Sequence, residues 1–342
     1  MTGLHVKTFF SVKEIDVQAW DRLSGQLPFQ SHHWYTFGEQ VMFDCSPIYL
    51  LVYDKDNLVA RASMWLVRNE PLPKMPGPVK LLITSLLRKW PLLICRSPMA
   101  NTSGIILKDN EQREVILAAL TEAAITQARE RKASIVLFDF LPEHEMKSWP
   151  SEFVKLRMPS AGTVLRNQWE GLEEFLADGN KKDRQHYKRT LREADRLGIH
   201  LTQHKAVREM DEALALIRNV EDRYVSSHNP WMRAMLENME LVNGTWLEAH
   251  INERLVGCGL IVEDQNVQMT TGLGLADNVP YVYFLLIYAS LEAAFQKKVD
   301  WLRWGSGAYE VKQRLGFELE KNNNSILFGT NPLTRLLSKL AA

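Results

Sequence analysis

One pattern occurs twice in this chain, and it limits the fold more than any other feature. In "YLLVYDKDNLVARASMWLV" (49–67) an apolar strand runs into a polar turn at 54–57, and a second strand begins at Leu58. In "WLEAHINERLVGCGLIVE" (246–263) a strand meets a turn at 252–254, and its partner begins at Leu255. The turns close alike, with NLVA and RLVG. Each hairpin is followed by a helix and one more strand. "EQREVILAALTEAAITQARERK" (111–132) sets Val115, Ile116, Ala119, Ala123 and Ala124 at helical spacing and leads into "ASIVLFDF" (133–140). "YVYFLLIYASLEAAFQKK" (281–298) reads as a helix leading into "VDWLRW" (299–304). Both helices end in cations, which complement the negative end of the helix dipole. Two hairpin–helix–strand halves imply a layered α/β (α+β) protein of two domains. Pro159, Ser160 and Gly162 interrupt the pattern, so the expected domains are 1–165 and 166–342.

The totals remove several function classes. A chain of 342 residues is long enough for two cores. Lys plus Arg is 41 and Asp plus Glu is 41, a neutral balance that argues against DNA as the partner but allows a local basic patch. Cys45, Cys95 and Cys258 form no metal-binding spacing, so no metal site is expected, and they suit small buried hydrophobes in a reducing cytoplasm. The N-terminal stretch has no apolar core of the signal-peptide kind, and a cytoplasmic protein is expected. Two apolar stretches, 281–295 and "PVKLLITSLLRKWPLLI" (78–94), are too short or too interrupted to span a bilayer and are expected to pack within the protein. The Lys/Arg and Leu/Trp mixture of the second also suits a peripheral membrane contact.

The most unusual segment is "GLEEFLADGNKKDRQHYKRTLREADRLGIHL" (171–201). Asn180 or Asp178 can cap a helix there. Arg184, Lys188, Arg192 and Arg196 recur every four residues and line one stripe, able to hold a phosphorylated ligand, a nucleic-acid backbone or an anionic lipid. A plain solvated face is the competing reading. The second unusual segment is "WGSGAYEVKQRLGF" (304–317). No GKS or GKT follows, so it is not a phosphate-binding P-loop, and Glu310 breaks a dinucleotide fingerprint. No serine stands in a nucleophile elbow.

The basic segment resembles the opening of the second half of FemAB-like acyltransferases, which are tandem GNAT proteins related to peptidoglycan-bridge aminoacyl transferases. "GSGAYEVKQRLGFE" resembles the post-strand motif of that branch and of cellulose-cluster acetyltransferases, placing Gly305, Gly307, Tyr309, Lys312, Gly316 and Phe317 on its pattern. "PFQSHHWYTFGEQV" (28–41) resembles the opening of the first half. The resemblance implies tandem GNAT-like domains, each a mixed sheet flanked by helices. It also implies N-acyl transfer from a thioester or ester donor, acyl-CoA or aminoacyl-tRNA, to an amine acceptor, with no tightly bound cofactor and a place in envelope or polysaccharide biosynthesis. The chemistry is expected in the second half, with the first half shaping the acceptor side. The GNAT pyrophosphate loop is poorly matched at "GLGLADNVPYVYF" (272–284), which leaves the donor open between coenzyme A and tRNA.

Tyr309 is a candidate acid toward the leaving group, and Lys312 a candidate oxyanion or phosphate partner. Glu248, alternating with His250 on a strand, is a candidate base. Lys188 and Arg192, with Gly305 and Gly307 of the turn, are candidate donor-binding residues. His228 and Tyr224 in "EDRYVSSHNPWM" (221–232) are candidate acceptor-binding residues. Two other classes remain open: a non-catalytic tandem-GNAT binding module, and a tRNA-binding or other nucleic-acid-binding protein using helix 181–196.

Overall fold

Strand β1 (Leu4–Phe9) and helices α1 (Val17–Ser24) and α2 (His32–Val41) precede the first expected hairpin, formed by β2 (Ser46–Asp54) and β3 (Asn57–Val67). This computed structural model describes residues 3–71, 77–108, 112–158, 160–224 and 227–340. Asp16 and Ser31 start α1 and α2 by accepting the amides of Ala19 and Trp34. Helix α3 (Gly77–Lys89), strands β4 (Leu92–Cys95) and β5 (Ile105–Leu107), helix α4 (Arg113–Glu130), and strands β6 (Ile135–Leu141) and β7 (Val154–Arg157) follow. Next come β8 (Thr163–Arg166), α5 (Leu172–Asp178), α6 (Lys181–Arg196), β9 (His200–His204), α7 (Met210–Arg223) and α8 (Met232–Glu237). The second hairpin is β10 (Thr245–Ile251) with β11 (Arg254–Asp264), turned through Asn252 and Glu253 at positive φ. After it run β12 (Val267–Leu275), α9 (Val282–Lys297), β13 (Trp301–Trp304), α10 (Tyr309–Arg314) and β14 (Glu318–Leu319), then β15 (Asn324–Gly329) and α11 (Pro332–Leu340).

The two sheets repeat one order. The first is β1-β2-β3-β4-β6-β15-β7, with β5 also on β3; the second is β9-β10-β11-β12-β13-β8-β14. Each has a single parallel pair at its fourth and fifth positions, β4 with β6 and β12 with β13. All other neighbours are antiparallel. These are two mixed sheets flanked by helices, and the duplication reaches through seven positions rather than the three elements visible in the sequence.

The sixth position corrects the expected division at 165/166. Strand β8 pairs with β13 through Leu165↔Leu302, so the second unit runs from Gly162 to Glu320. Strand β15 lies between β6 and β7, with Ile326 opposite both Phe138 and Lys155. Residues 321–342 therefore belong with 1–161. The physical reason is hydrogen bonding: without β15, the facing edges of β6 and β7 would lose their ladder.

The two apolar stretches behave differently. Helix α9 buries eleven side chains and anchors a core with Leu165, Leu302, Trp304 and Phe317, each buried Val, Leu, Ile or Phe contributing roughly 1.5–3 kcal/mol. Helix α3, expected to pack, buries only Leu87. Among the described residues no helix is long and apolar enough to cross a membrane. The three cysteines are free and buried, as read from the sequence.

Candidate active site

The parallel pair β12/β13 holds register only from Val267↔Trp301 to Thr270↔Trp304. Beyond it β12 continues to Leu275, while β13 ends. The register of β12 on β11 passes from Leu260↔Thr271 to Cys258↔Gly274, so Gly272 and Leu273 oppose one residue, a β-bulge with Gly272 at φ +59. A Cβ on Gly274 would lie 2.5 Å from Cys258 Sγ and 2.9 Å from the Ile217 amide nitrogen. These glycines serve the bulge and the close approach of α7, which accounts for the poor match of 272–284 to a phosphate loop. An α/β sheet opens for ligands at the carboxyl ends of its parallel strands.

The turn after β13 is fixed from two sides. Gly307 and Ala308 take φ +90 and +46, and the chain re-enters a helix at Tyr309, which is half-buried. Lys312 is buried, and its Nζ donates to the Gly305 carbonyl at 2.5 Å. Burial lowers the Lys312 pKa to about 8. Trp304 stacks on Phe317 with centroids 4.1 Å apart, and Thr163 Oγ1 donates to the Trp304 carbonyl at 3.0 Å. The structure thus brings Gly305, Gly307, Tyr309 and Lys312 into one turn-and-helix unit.

A cleft of about 590 Å³ opens on α6. Five cations line it: Lys182, Lys188, Arg189 and Arg192 from α6, and Arg314 from α10. Its carboxylate, Asp183, is buried and pairs with Arg314 at 3.1 Å. Asn180 starts α6 by accepting the Asp183 amide, so the cap also sets the carboxylate. His186 reaches Tyr288 Oη at 3.2 Å and meets the Phe284 ring edge-on at 4.3 Å. Burial, then Arg314 and Arg189, lower its pKa, while burial pushes Tyr288 up to about 12. The cleft therefore combines a strongly positive wall with an imidazole biased toward its neutral form.

The predicted stripe divides. Lys188 and Arg192 face the cleft, but Arg184 donates to the carbonyls of Leu176, Ala177 and Gly179 at the end of α5, and Arg196 pairs with Glu193 at 2.9 Å. A strict four-residue spacing drifts around a helix of 3.6 residues per turn. Lys182, Arg189 and Arg314 lie outside the predicted stripe: the first two for that reason, the third because only the fold brings α10 beside α6. Glu248 is buried on β10, bonded to Trp246 Nε1 at 2.8 Å and near His204 Nε2 at 3.3 Å, and does not line the cleft. His250 faces Glu209 at 3.6 Å. Tyr224 is exposed just past α7 and electrostatically near Tyr283, whose pKa burial raises to about 12. His228 is exposed and 2.9 Å from Asp222. Among the described residues no cluster of His, Cys, Asp and Glu could hold a metal ion.

Two mixed sheets of one order, each with a single parallel pair at the same place, define a tandem GNAT fold. A family model described as FemAB-like, peptidoglycan biosynthesis/recognition, matches residues 79–339, and the chain belongs to that family. Among solved structures it is similar to FemX, at TM-score 0.64 and 9% identity over 97% of this chain and 100% of that one. It is similar to a tandem GNAT protein from the clavulanic acid biosynthesis pathway, at 0.61 and 12% over 96% and 99%. A third is the C-terminal domain of a putative lysylphosphatidylglycerol synthetase from Agrobacterium fabrum, at 0.54 and 10% over 97% and 96%. At these identities the likeness is one of fold. No curated protein matches the sequence. Family and fold together support a group-transferring enzyme.

Proposed function

We propose that this chain is an N-acyltransferase that takes an acyl or aminoacyl group from a phosphate-bearing carrier, acyl-CoA or aminoacyl-tRNA, and joins it to an amine of an envelope or polysaccharide precursor. The cleft of the second unit carries this reading: five cations beside one paired carboxylate suit phosphate groups better than a neutral ligand. The acceptor nitrogen attacks the carbonyl carbon, a C–N bond forms, and the C–S or C–O bond to the carrier breaks. The amine gives up a proton, and the departing thiolate or alkoxide takes one. Lys312, near pKa 8, can exchange that proton near neutral pH, and Tyr309 opens the same helix. Glu248 is given a positioning role, since its bonds lie within the sheet. Both carriers are cytoplasmic, so this reading places the reaction there.

Thermal stability against acyl-CoAs, free CoA, and charged and uncharged tRNA tests it. A ligand of the native state raises the melting midpoint with occupancy. A CoA shift lost on Lys188→Gln/Arg192→Gln assigns a thioester donor, and an aminoacyl-tRNA shift lost in the same variant assigns an ester donor. No shift with any carrier overturns the proposal.

A further inference from the structure

Helix α3 is amphipathic, yet its apolar side faces outward. Leu81 is 73% exposed and Leu82 60%, with Val79, Leu86 and Trp90 also exposed. Val79, Leu82, Leu86 and Trp90 follow a helical spacing and form one stripe. Helix α11 repeats the arrangement, with Leu333 at 65% and Leu336 at 58%. Both helices belong to the first unit.

They also join its sheet at one end of the strands, where β4 and β6 begin and β15 finishes. Ser134, just before β6, donates its amide to the Pro91 carbonyl at 2.8 Å and its hydroxyl to the Trp90 carbonyl at 3.2 Å. Its own carbonyl accepts the Thr330 amide at 3.0 Å. Trp90 closes α3 and Thr330 precedes α11, so the two helices leave the sheet on either side of one residue. Helix α4 ends at the same place, with Arg131 and Lys132 immediately before Ala133.

The charge along these two segments has one sign. From 71 through 108 the sequence contains no aspartate or glutamate, and from 321 to the end it contains none either. Lys80, Arg88 and Lys89 flank the α3 stripe, and Arg335 and Lys339 lie on α11. Lys89 Nζ sits 4.6 Å from the Trp90 ring. Thirteen residues make α3 about 20 Å long, too short to span a bilayer and suited to lie along one.

We propose that the first unit docks on an anionic phospholipid bilayer through α3 and α11. Leucines and Trp90 enter the headgroup–acyl boundary while the cations meet lipid phosphates. Charge complementarity favours this occupant, because two acid-free basic helices presenting Leu and Trp match an anionic interface. The inference is independent of the transfer reaction.

Co-sedimentation of the full chain with phosphatidylcholine vesicles, with and without phosphatidylglycerol, tests it. The expected result is binding to the anionic vesicles, weakened by salt, and at least about tenfold weaker binding to phosphatidylcholine alone. Lys80→Gln/Arg88→Gln/Lys89→Gln should lower partitioning by roughly fivefold per cation, about 100-fold in all. Leu82→Glu/Leu86→Glu, or the milder Leu82→Ser/Leu86→Ser, should release the protein with an unchanged melting midpoint. Wild-type protein that ignores anionic vesicles at low salt overturns the proposal. So does equal binding by folded leucine variants. A wild-type dimer that Leu82→Ser converts to monomer without affecting vesicle binding would overturn it as well, assigning the face to a second copy.

Discussion

Replacing Lys312 by methionine is expected to leave the second unit folded at pH 7 and to erase a pH dependence above it. Burial lowers the ammonium from its ordinary 10.5 to about 8. Between those values the unfolded chain holds a proton that the folded chain has released. The unfolded state binds more protons there, so stability rises with pH across the window. Below pH 8 both states are protonated, and the folded state carries a burden of about 3 kcal/mol. The bond from Nζ to the Gly305 carbonyl offsets it by roughly 1.5–3 kcal/mol. Methionine fills similar volume with neither charge nor donor. The two proteins should therefore differ by less than about 2 kcal/mol at pH 7. By pH 10 the wild type should have gained about 2.5 kcal/mol on the variant. Urea unfolding of both at pH 7, 9 and 10 reads this, because the comparison cancels every other titrating group. A difference that stays flat with pH, or a loss above about 4 kcal/mol at pH 7, would refute a dry, strained ammonium. Transfer activity in the variant should fall by about 10²-fold or more if Lys312 acts at the reacting carbonyl.

Other substitutions separate structure from chemistry. Arg184→Ala releases three carbonyls at the end of α5 and should cost about 1–3 kcal/mol in thermal or urea unfolding, with carrier binding intact. Gly274→Ala drives a Cβ into Cys258 Sγ and the backbone of α7; the expected loss is about 1–3 kcal/mol. Glu248→Leu strips the Trp246 indole of its acceptor and should cost roughly 1–3 kcal/mol, whereas Glu248→Gln keeps an acceptor and should cost less. A larger effect of Glu248→Gln on turnover than on stability would return Glu248 to the chemistry.

Local signals were legible in the sequence, and remote pairing was not. The hairpins β2/β3 and β10/β11 announced themselves through alternation and polar turns, and α6 runs over the same 181–196 span that its charges and Asn180 indicate. Strand β12 was hidden because its glycines, needed for the bulge and for α7, read as loop residues. The places of β8 and β15 were hidden for another reason: Leu165 pairs with Leu302 and Ile326 with Phe138, and nothing in a four- or six-residue strand specifies a partner so far along the chain. Residues within one segment, Gly305 to Lys312, were readable together as a turn after β13. Arg314 beside α6 was not, because the fold alone supplies that neighbour. Glu248 shows the converse, since alternation placed it on a strand but could not reveal that Trp246 and His204 already hold it.

What fills the basic cleft decides the proposed function. Titrating CoA species and tRNA into the wild type and into Lys188→Gln/Arg189→Gln/Arg192→Gln, over a range of salt, measures it. The expected result is that one carrier binds the wild type, that the variant binds it more weakly, and, for tRNA, that the slope of log affinity against log salt drops by about 2–3 with three cations gone. Equal affinity and equal slope in both proteins would contradict it.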